Sequence, residues 1–251
     1  MAADRLSFAF LQEPPFCFTD GEGTARGCDV DLAGEIAVRL GFAGLEPIEA
    51  EFADLLPGLR SGRWRMTTGL FVSDERRRLV DFTRPVWSLG DGLLVAQGNP
   101  LALTGYRSVG QAPSARLAVI RDQVQHATAL DNGVAADRIS IFETQAEAAG
   151  AVLAGAADAY ASVAMAHRGY LERNRGAALE VIDVPSEEKP PALGAFALSK
   201  SDADLRRRID KALPDVLGTP WHRAMMRRYG FRDADLDRLA GLRAEIRPAQ
   251  E

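Results

Sequence analysis

The chain has 251 residues, 47% hydrophobic and 26% charged, ordinary globular values that suit one large domain or two lobes and argue against disorder. Its net charge of −5 disfavours a nucleic-acid partner, which asks for a basic stripe. No apolar run approaches the roughly 18 residues of a membrane span, and two cysteines without a neighbouring histidine pair leave neither a zinc site nor any other cofactor to expect.

Met1-Ala2-Ala3-Asp4 leads almost directly into a strand-like run, Leu6 to Leu11. Such a start fits a cytosolic protein, or an exported one whose leader was removed. Glu13-Pro14-Pro15-Phe16 follows, with two prolines that stiffen the backbone presenting Glu13 and Phe16. Cys17 and Cys28 flank the Gly-rich turn Asp20 to Gly27. If that turn is a hairpin they face each other as a disulfide; otherwise they are two small core thiols, and the sequence leaves both open. Asp29 to Leu40 predicts a helix through Leu32, Ile36 and Leu40, capped by Gly41. Ala53 to Arg60 predicts a second helix stopped by Gly62, and Met66 to Leu70 and Leu93 to Ala96 are strand-like.

After the turn chemistry of Gln97 to Pro100 a second alternating set begins. It comprises strands at Leu117 to Ile120, Ile139 to Phe142 and Asp158 to Val163. Helices are expected at Gln123 to Asn132, from the capping box Thr144/Glu147 to Gly155, and on to about Arg173. Pro185 to Pro191 is a charged crossing segment. Gly194 to Leu198 is strand-like, and Asp202 to Leu217 is an amphipathic helix that Pro214 should kink or shorten. This alternation predicts mainly parallel sheets. Two α/β sets joined by two crossings imply a bilobed α/β protein: lobe 1 at 1–95 plus 190–251, and lobe 2 at 96–189.

Ligands of open α/β sheets sit beyond the carboxyl ends of strands, here in the cleft between lobes. The residues there include Glu13, Phe16, Thr68, Gly69, Phe71, Arg121, Gln123 and Ser162. Arg76, just past Gly69-Leu70-Phe71, offers a planar guanidinium fork suited to a small carboxylate. Glu13 suits the cationic end of the same ligand, and Phe16, Phe52 and Phe71 suit flat apolar walls. Catalytic signatures are thin. His126, His167 and His222 sit in no nucleophile–base motif, and His167 and His222 read as helix-surface residues.

The order Glu13-Pro-Pro-Phe, Gly27-x-Asp29-Val-Asp-Leu32, Leu56-Pro-Gly-Leu59, Gly69 to Arg76 and Val80-Asp-Phe-Thr-x-Pro85 resembles the family 3 extracellular solute-binding proteins of ABC transporters. The likeness continues to Phe196-Ala-Leu-Ser-Lys200 and Arg228-Tyr-Gly-Phe231. It implies a type II periplasmic-binding-protein fold, a periplasmic or extracellular location, a monomer, a membrane permease as partner and no enzymatic activity. It also implies a ligand carboxylate on Arg76, helped by Thr68, Gly69 and Phe71. Within the family the likeness is nearest to ectoine- and hydroxyectoine-binding receptors, which share the Glu-Pro-Pro-Phe start and a Gly-Asn-Pro-Leu matching Gly98 to Leu101. That implies Glu13 on a cyclic amidinium and Phe16, Phe52 and Phe71 around the ring. Ordinary amino-acid receptors carry an acidic residue for the α-ammonium near Val163, where this chain has Ala161-Ser162-Val163. Two departures stand out: the bulky loop Arg121 to Val124, where the family has a small Gly/Thr loop, and Arg65 where it tends to have Asp.

Overall fold

A computed structural model describes residues 4–233, 235–237 and 239; the outer ends of the expected lobe 1, 1–3 and 240–251, lie outside them. In chain order the elements are β1 (Leu6–Phe10), β2 (Phe18–Thr19), β3 (Ala25–Arg26), α1 (Cys28–Arg39), β4 (Leu45–Glu49), α2 (Leu55–Ser61), β5 (Met66–Phe71), α3 (Asp74–Leu79), β6 (Asp81–Phe82), β7 (Trp87–Leu89) and β8 (Asp91–Ala96). There follow α4 (Tyr106–Gln111), β9 (Leu117–Ile120), α5 (Val124–Asp131), β10 (Ile139–Phe142), α6 (Gln145–Leu153), β11 (Ala159–Val163), α7 (Ala164–Arg173), β12 (Leu179–Asp183), β13 (Ala192–Leu198), α8 (Ala203–Ala212) and α9 (Pro220–Arg228).

Two sheets carry the fold. The first has the order β4-β1-β5-β13-β6, with β7 also on β13; the second runs β10-β9-β11-β8-β12. Both are mixed, not mainly parallel. β1 pairs in parallel with β4 and β5, and β9 with β10 and β11. β13 and β8, the strands that follow a crossing, run antiparallel to their neighbours. A strand that enters a sheet from the other lobe has no crossover helix to turn it round, so the parallel rule lapses there. Residues 91–95, expected in lobe 1, belong to β8 in the second sheet. Leu93 and Val95 pack into the core beside Leu117, Val119 and Ala159. The chain therefore crosses at Gly90, and returns between β12 and β13.

Local chemistry accounts for most boundaries. Thr144 and Glu147 form the expected capping box of α6. Gly62 ends α2 in the left-handed region, and Pro214 cuts the expected long helix at Ala212, leaving a short 3-10 turn. Asp20 to Gly27 is a hairpin, β2 against β3, and Cys17 and Cys28 are free, buried thiols. Arg65 forks onto both oxygens of Asp202 at 2.8 and 3.0 Å, tying the start of β5 to the turn before α8. His167 and His222 are not on the surface. They are 0% and 2% exposed: His167 Nε2 meets Gly92 O at 3.2 Å with its ring edge-on to Tyr160, and His222 Nδ1 accepts from Gly218 N. Burial pushes His167 down to about 4, so it is a neutral core residue.

The lobes meet closely. α7 of lobe 2 lies on the Pro14-Pro15 backbone at Gly169, where a Cβ would stand 2.3 Å from Pro14 O. Arg173, on the same helix, stacks 4.3 Å from the Phe18 ring centroid.

Candidate functional site

The loop after β1 is held by its own backbone. Glu13 N donates to Cys17 O at 2.8 Å, and Phe16 N to Glu13 O at 3.0 Å. The N-terminus of α1 lies beneath it, Cys28 N donating to Pro15 O and Asp29 N to Phe16 O, both at 3.1 Å. Only glycine fits between them: Gly27 has φ +127° and a Cβ there would sit 2.0 Å from Phe16 O. The Glu13 carboxyl is therefore aimed by a tight turn clamped on a helix start.

Arg76 is positioned from the other side. Ser73 Oγ accepts from Arg76 N at 3.2 Å, capping α3 and fixing its first turn. Arg76 is 7% exposed, and its guanidinium lies 5.4 Å from the Phe52 ring centroid. Nη1 donates to Phe71 O at 3.0 Å and Nη2 to Asp122 O of lobe 2 at 3.2 Å. Both partners are carbonyls, and no described carboxylate forms an ion pair with it. Burial pulls the guanidinium below its ordinary value, so this is a desolvated cation whose remaining N–H groups favour an anion.

Between these two groups lies a small cavity of about 30 Å3. Glu13, Phe16, Phe52, Gly69, Phe71, Arg76, Gln123 and Ser162 all line it, eight of the ten expected site residues. Gly69 sits at φ +79°, where the pairing of β5 with β13 shifts register, so the strand bulges beside Arg76. The other two expected residues lie elsewhere. Thr68 is buried behind the wall and its hydroxyl donates to Asp29. Arg121 is exposed and bonded through Nε to Glu143 Oε1 at 2.7 Å, since solvent and a surface carboxylate solvate it better than the apolar cleft does.

Val124 and Val163, at strand ends that the sequence marks as cleft-facing, complete the lining together with three residues it did not point to: Trp87, Leu89 and Gln125. Trp87 lies flat over Gly194, where a Cβ would fall 1.7 Å from its ring. It makes a T-shaped contact with Phe71 at 5.4 Å and a tilted one with Phe16 at 5.8 Å, giving the cavity an aromatic floor. Its indole N–H donates to Asp29 at 3.2 Å.

The electrostatics are of one kind. Burial and the neighbouring Asp29 push Glu13 up to about 7, against a lowering hydrogen bond from Ser162 across the cleft. Burial likewise lifts Asp29 to about 6, despite the bonds from Thr68, Trp87 and Cys28. Among the described residues neither carboxyl forms an ion pair with a cation, and Arg76, although Glu75 and Asp122 act on it at longer range, has no carboxylate in ion-pair contact. The arrangement suits a ligand with one positive and one negative end. Lobe 2 contributes Gln123, Val124, Gln125, Ser162 and Val163 to the cavity, and no acid. Among the described residues no group of three or more His, Cys, Asp or Glu could hold a metal ion. No helix among them is long and apolar enough to cross a membrane.

Comparison with known proteins agrees with this geometry. The family model described as bacterial extracellular solute-binding proteins, family 3, matches residues 6–232. The "Probable amino-acid ABC transporter periplasmic-binding protein" of Sinorhizobium fredii is 28% identical over 92% of this chain and 78% of its own. The arginine-binding protein ArgT of Corynebacterium glutamicum is 27% identical over 89% of this chain and 73% of its own. The crystal structure of EhuB in complex with hydroxyectoine superposes with a TM-score of 0.84 at 26% identity, covering 93% of this chain and 91% of that one. Two α/β lobes, two crossings and a cleft between them make the type II periplasmic-binding-protein fold, and the chain belongs to the bacterial extracellular solute-binding proteins, family 3.

Proposed function

We propose that the cleft captures a small zwitterion, an ectoine-like cyclic amino acid or a related amino-acid derivative, for delivery to the membrane permease of an ABC importer. Arg76 takes the carboxylate, Glu13 the cationic end, and Phe16, Phe52, Phe71 and Trp87 enclose the body of the ligand. Gly69, Gln123 and Ser162 supply further polar contacts. The observation that carries this reading is a buried guanidinium with no carboxylate in ion-pair contact and a buried carboxyl with no cation in ion-pair contact among the described residues, both lining one cavity. Lobe 1, built on the first sheet, binds first; lobe 2 then covers the ligand by rotation about the crossings.

The cyclic ligand is favoured over a linear amino acid because lobe 2 offers no acid to a primary ammonium, and an unpaired buried ammonium is costly. We assign the chain no enzymatic role. A cyclohexadienyl-dehydratase-like enzyme on this fold would need a general acid aimed from lobe 2; that lobe lines the cavity with two valines, two glutamines and Ser162, and Asp122, the one acid the sequence offered there, is not in the lining. The protein would act as a monomer, in the periplasm or outside the cell as the descriptions of its relatives have it. A third role, a ligand-sensing domain of a membrane receptor, would use the same clamp.

The test is thermal unfolding with ectoine, hydroxyectoine, proline, betaine, L-arginine and L-glutamate. A ligand at a thousand times its dissociation constant stabilises by about 4 kcal/mol. A shift with the ectoines alone is expected; a shift only with a linear amino acid would overturn the cyclic-ligand reading.

A further inference from the structure

Gln125 lines the ligand cavity although it is only 2% exposed, and its amide is not free to turn. Nε2 donates to Asp91 Oδ1 at 3.1 Å. The other oxygen of Asp91 accepts from the Tyr106 hydroxyl at 2.5 Å. Asp91 is itself 2% exposed and is the first residue of β8, directly after the crossing at Gly90. A carboxylate is acceptor-only, so the Gln125 amide must turn its NH2 towards Asp91, and its carbonyl oxygen is left for other use. No described group donates to that oxygen. Asp91 does not line the cavity, whereas Gln125 does.

We infer that Gln125 Oε1 is a ligand-reading atom of lobe 2, beside Gln123 and Ser162, and that Asp91 is the positioning residue that keeps it facing the cavity. The chemistry this wall accepts is an N–H or O–H donor, such as a ring N–H or a hydroxyl. It needs no full positive charge, because the acceptor is a neutral amide. A ligand presenting a carboxylate or ether oxygen there would leave two acceptors opposed and a buried carbonyl without a donor, which specific sites reject strongly. Lobe 2 would thus take over by dipole what an acidic residue does by charge. The inference rests on the cavity being the ligand site, but not on which zwitterion fills it.

The test has two parts. In the unliganded protein, the side-chain amide of Gln125 is identified by nuclear magnetic resonance as the pair lost in Gln125→Leu. Its protons should exchange with solvent at least tenfold more slowly than those of the exposed Gln12, and Asp91→Ala, which removes the acceptor, should abolish that protection. Tyr106→Phe, which leaves the Asp91–Gln125 bond in place, should preserve most of it. Ectoine, hydroxyectoine and L-arginine are then titrated into each protein. Whichever binds the wild type should bind Asp91→Ala at least tenfold more weakly, and Tyr106→Phe within about threefold. A Gln125 amide that exchanges like the exposed glutamine, or an Asp91→Ala affinity within twofold of wild type, would overturn the inference. If none of the three binds the wild type, the ligand reading above fails, while amide exchange still decides how Gln125 is held.

Discussion

Replacing Arg76 by alanine should separate binding from folding. In the unliganded protein the guanidinium gains two hydrogen bonds, to Phe71 O and Asp122 O, at the cost of being 7% exposed without a carboxylate partner. Two ordinary hydrogen bonds contribute about 1 kcal/mol each, and desolvation of the charge offsets an amount of similar size. The melting temperature of unliganded Arg76→Ala should therefore stay within a few degrees of wild type. Binding is different. A carboxylate received by the fork gains two charge-assisted bonds of about 1.5–3 kcal/mol each, and without Arg76 it keeps its desolvation penalty with no partner. A loss of about 3–5 kcal/mol corresponds to roughly a 100- to 4000-fold weaker dissociation constant. Titration calorimetry with ectoine and hydroxyectoine reads this directly. Affinity within tenfold of wild type would refute the assignment, and a collapse of the unliganded fold would refute the energy argument.

Glu13→Gln removes a carboxyl that burial and Asp29 hold at about 7. It should raise the unliganded melting temperature at pH 8 while weakening a cationic ligand at least 50-fold, as compared by melting curves and calorimetry. With Glu13 at about 7 and Asp29 at about 6, both above their unfolded values, the folded state binds more protons than the unfolded. Their contribution to unliganded stability is full below pH 4 and is lost as pH rises through 6 and 7, which melting temperatures from pH 4 to 8 would check. A ligand cation stabilises ionised Glu13, so binding at pH 6 should release close to one proton, measurable as a dependence of the calorimetric heat on buffer. Gly169→Ala places a Cβ against the Pro14-Pro15 backbone. It should hold the lobes apart, raise the radius of gyration of the liganded protein in small-angle scattering and weaken binding at least tenfold.

The two halves of the proposed clamp could be picked out in the sequence because each is local. Arg76 follows a strand and a serine cap within ten residues of Gly69, and Glu13 follows a strand and precedes two prolines. Arg121 and Thr68 stand at the expected strand ends, but side-chain direction is a tertiary matter: one found Glu143 and the other Asp29. Trp87 and Gln125 could not be read, because their roles depend on Gly194 and Asp91, which are distant in sequence. β4 and β12 escaped notice for another reason. Leu45–Glu49 carries Glu46, Pro47 and Glu49, and its burial shows no alternation, as an edge strand can afford. The buried histidines had the polar neighbours of a surface helix, Arg168 and Arg223, and only packing against Tyr160 and Gly218 placed them inside.

The central claim is a zwitterion clamped between Glu13 and Arg76, and a crystal structure with bound ectoine or hydroxyectoine measures it most directly. The ligand carboxylate should lie within about 3.2 Å of the Arg76 guanidinium and its cationic nitrogen within the same distance of Glu13, with the ring over Phe52 and Trp87. A ligand that binds in the reverse orientation, or away from both residues, would contradict it.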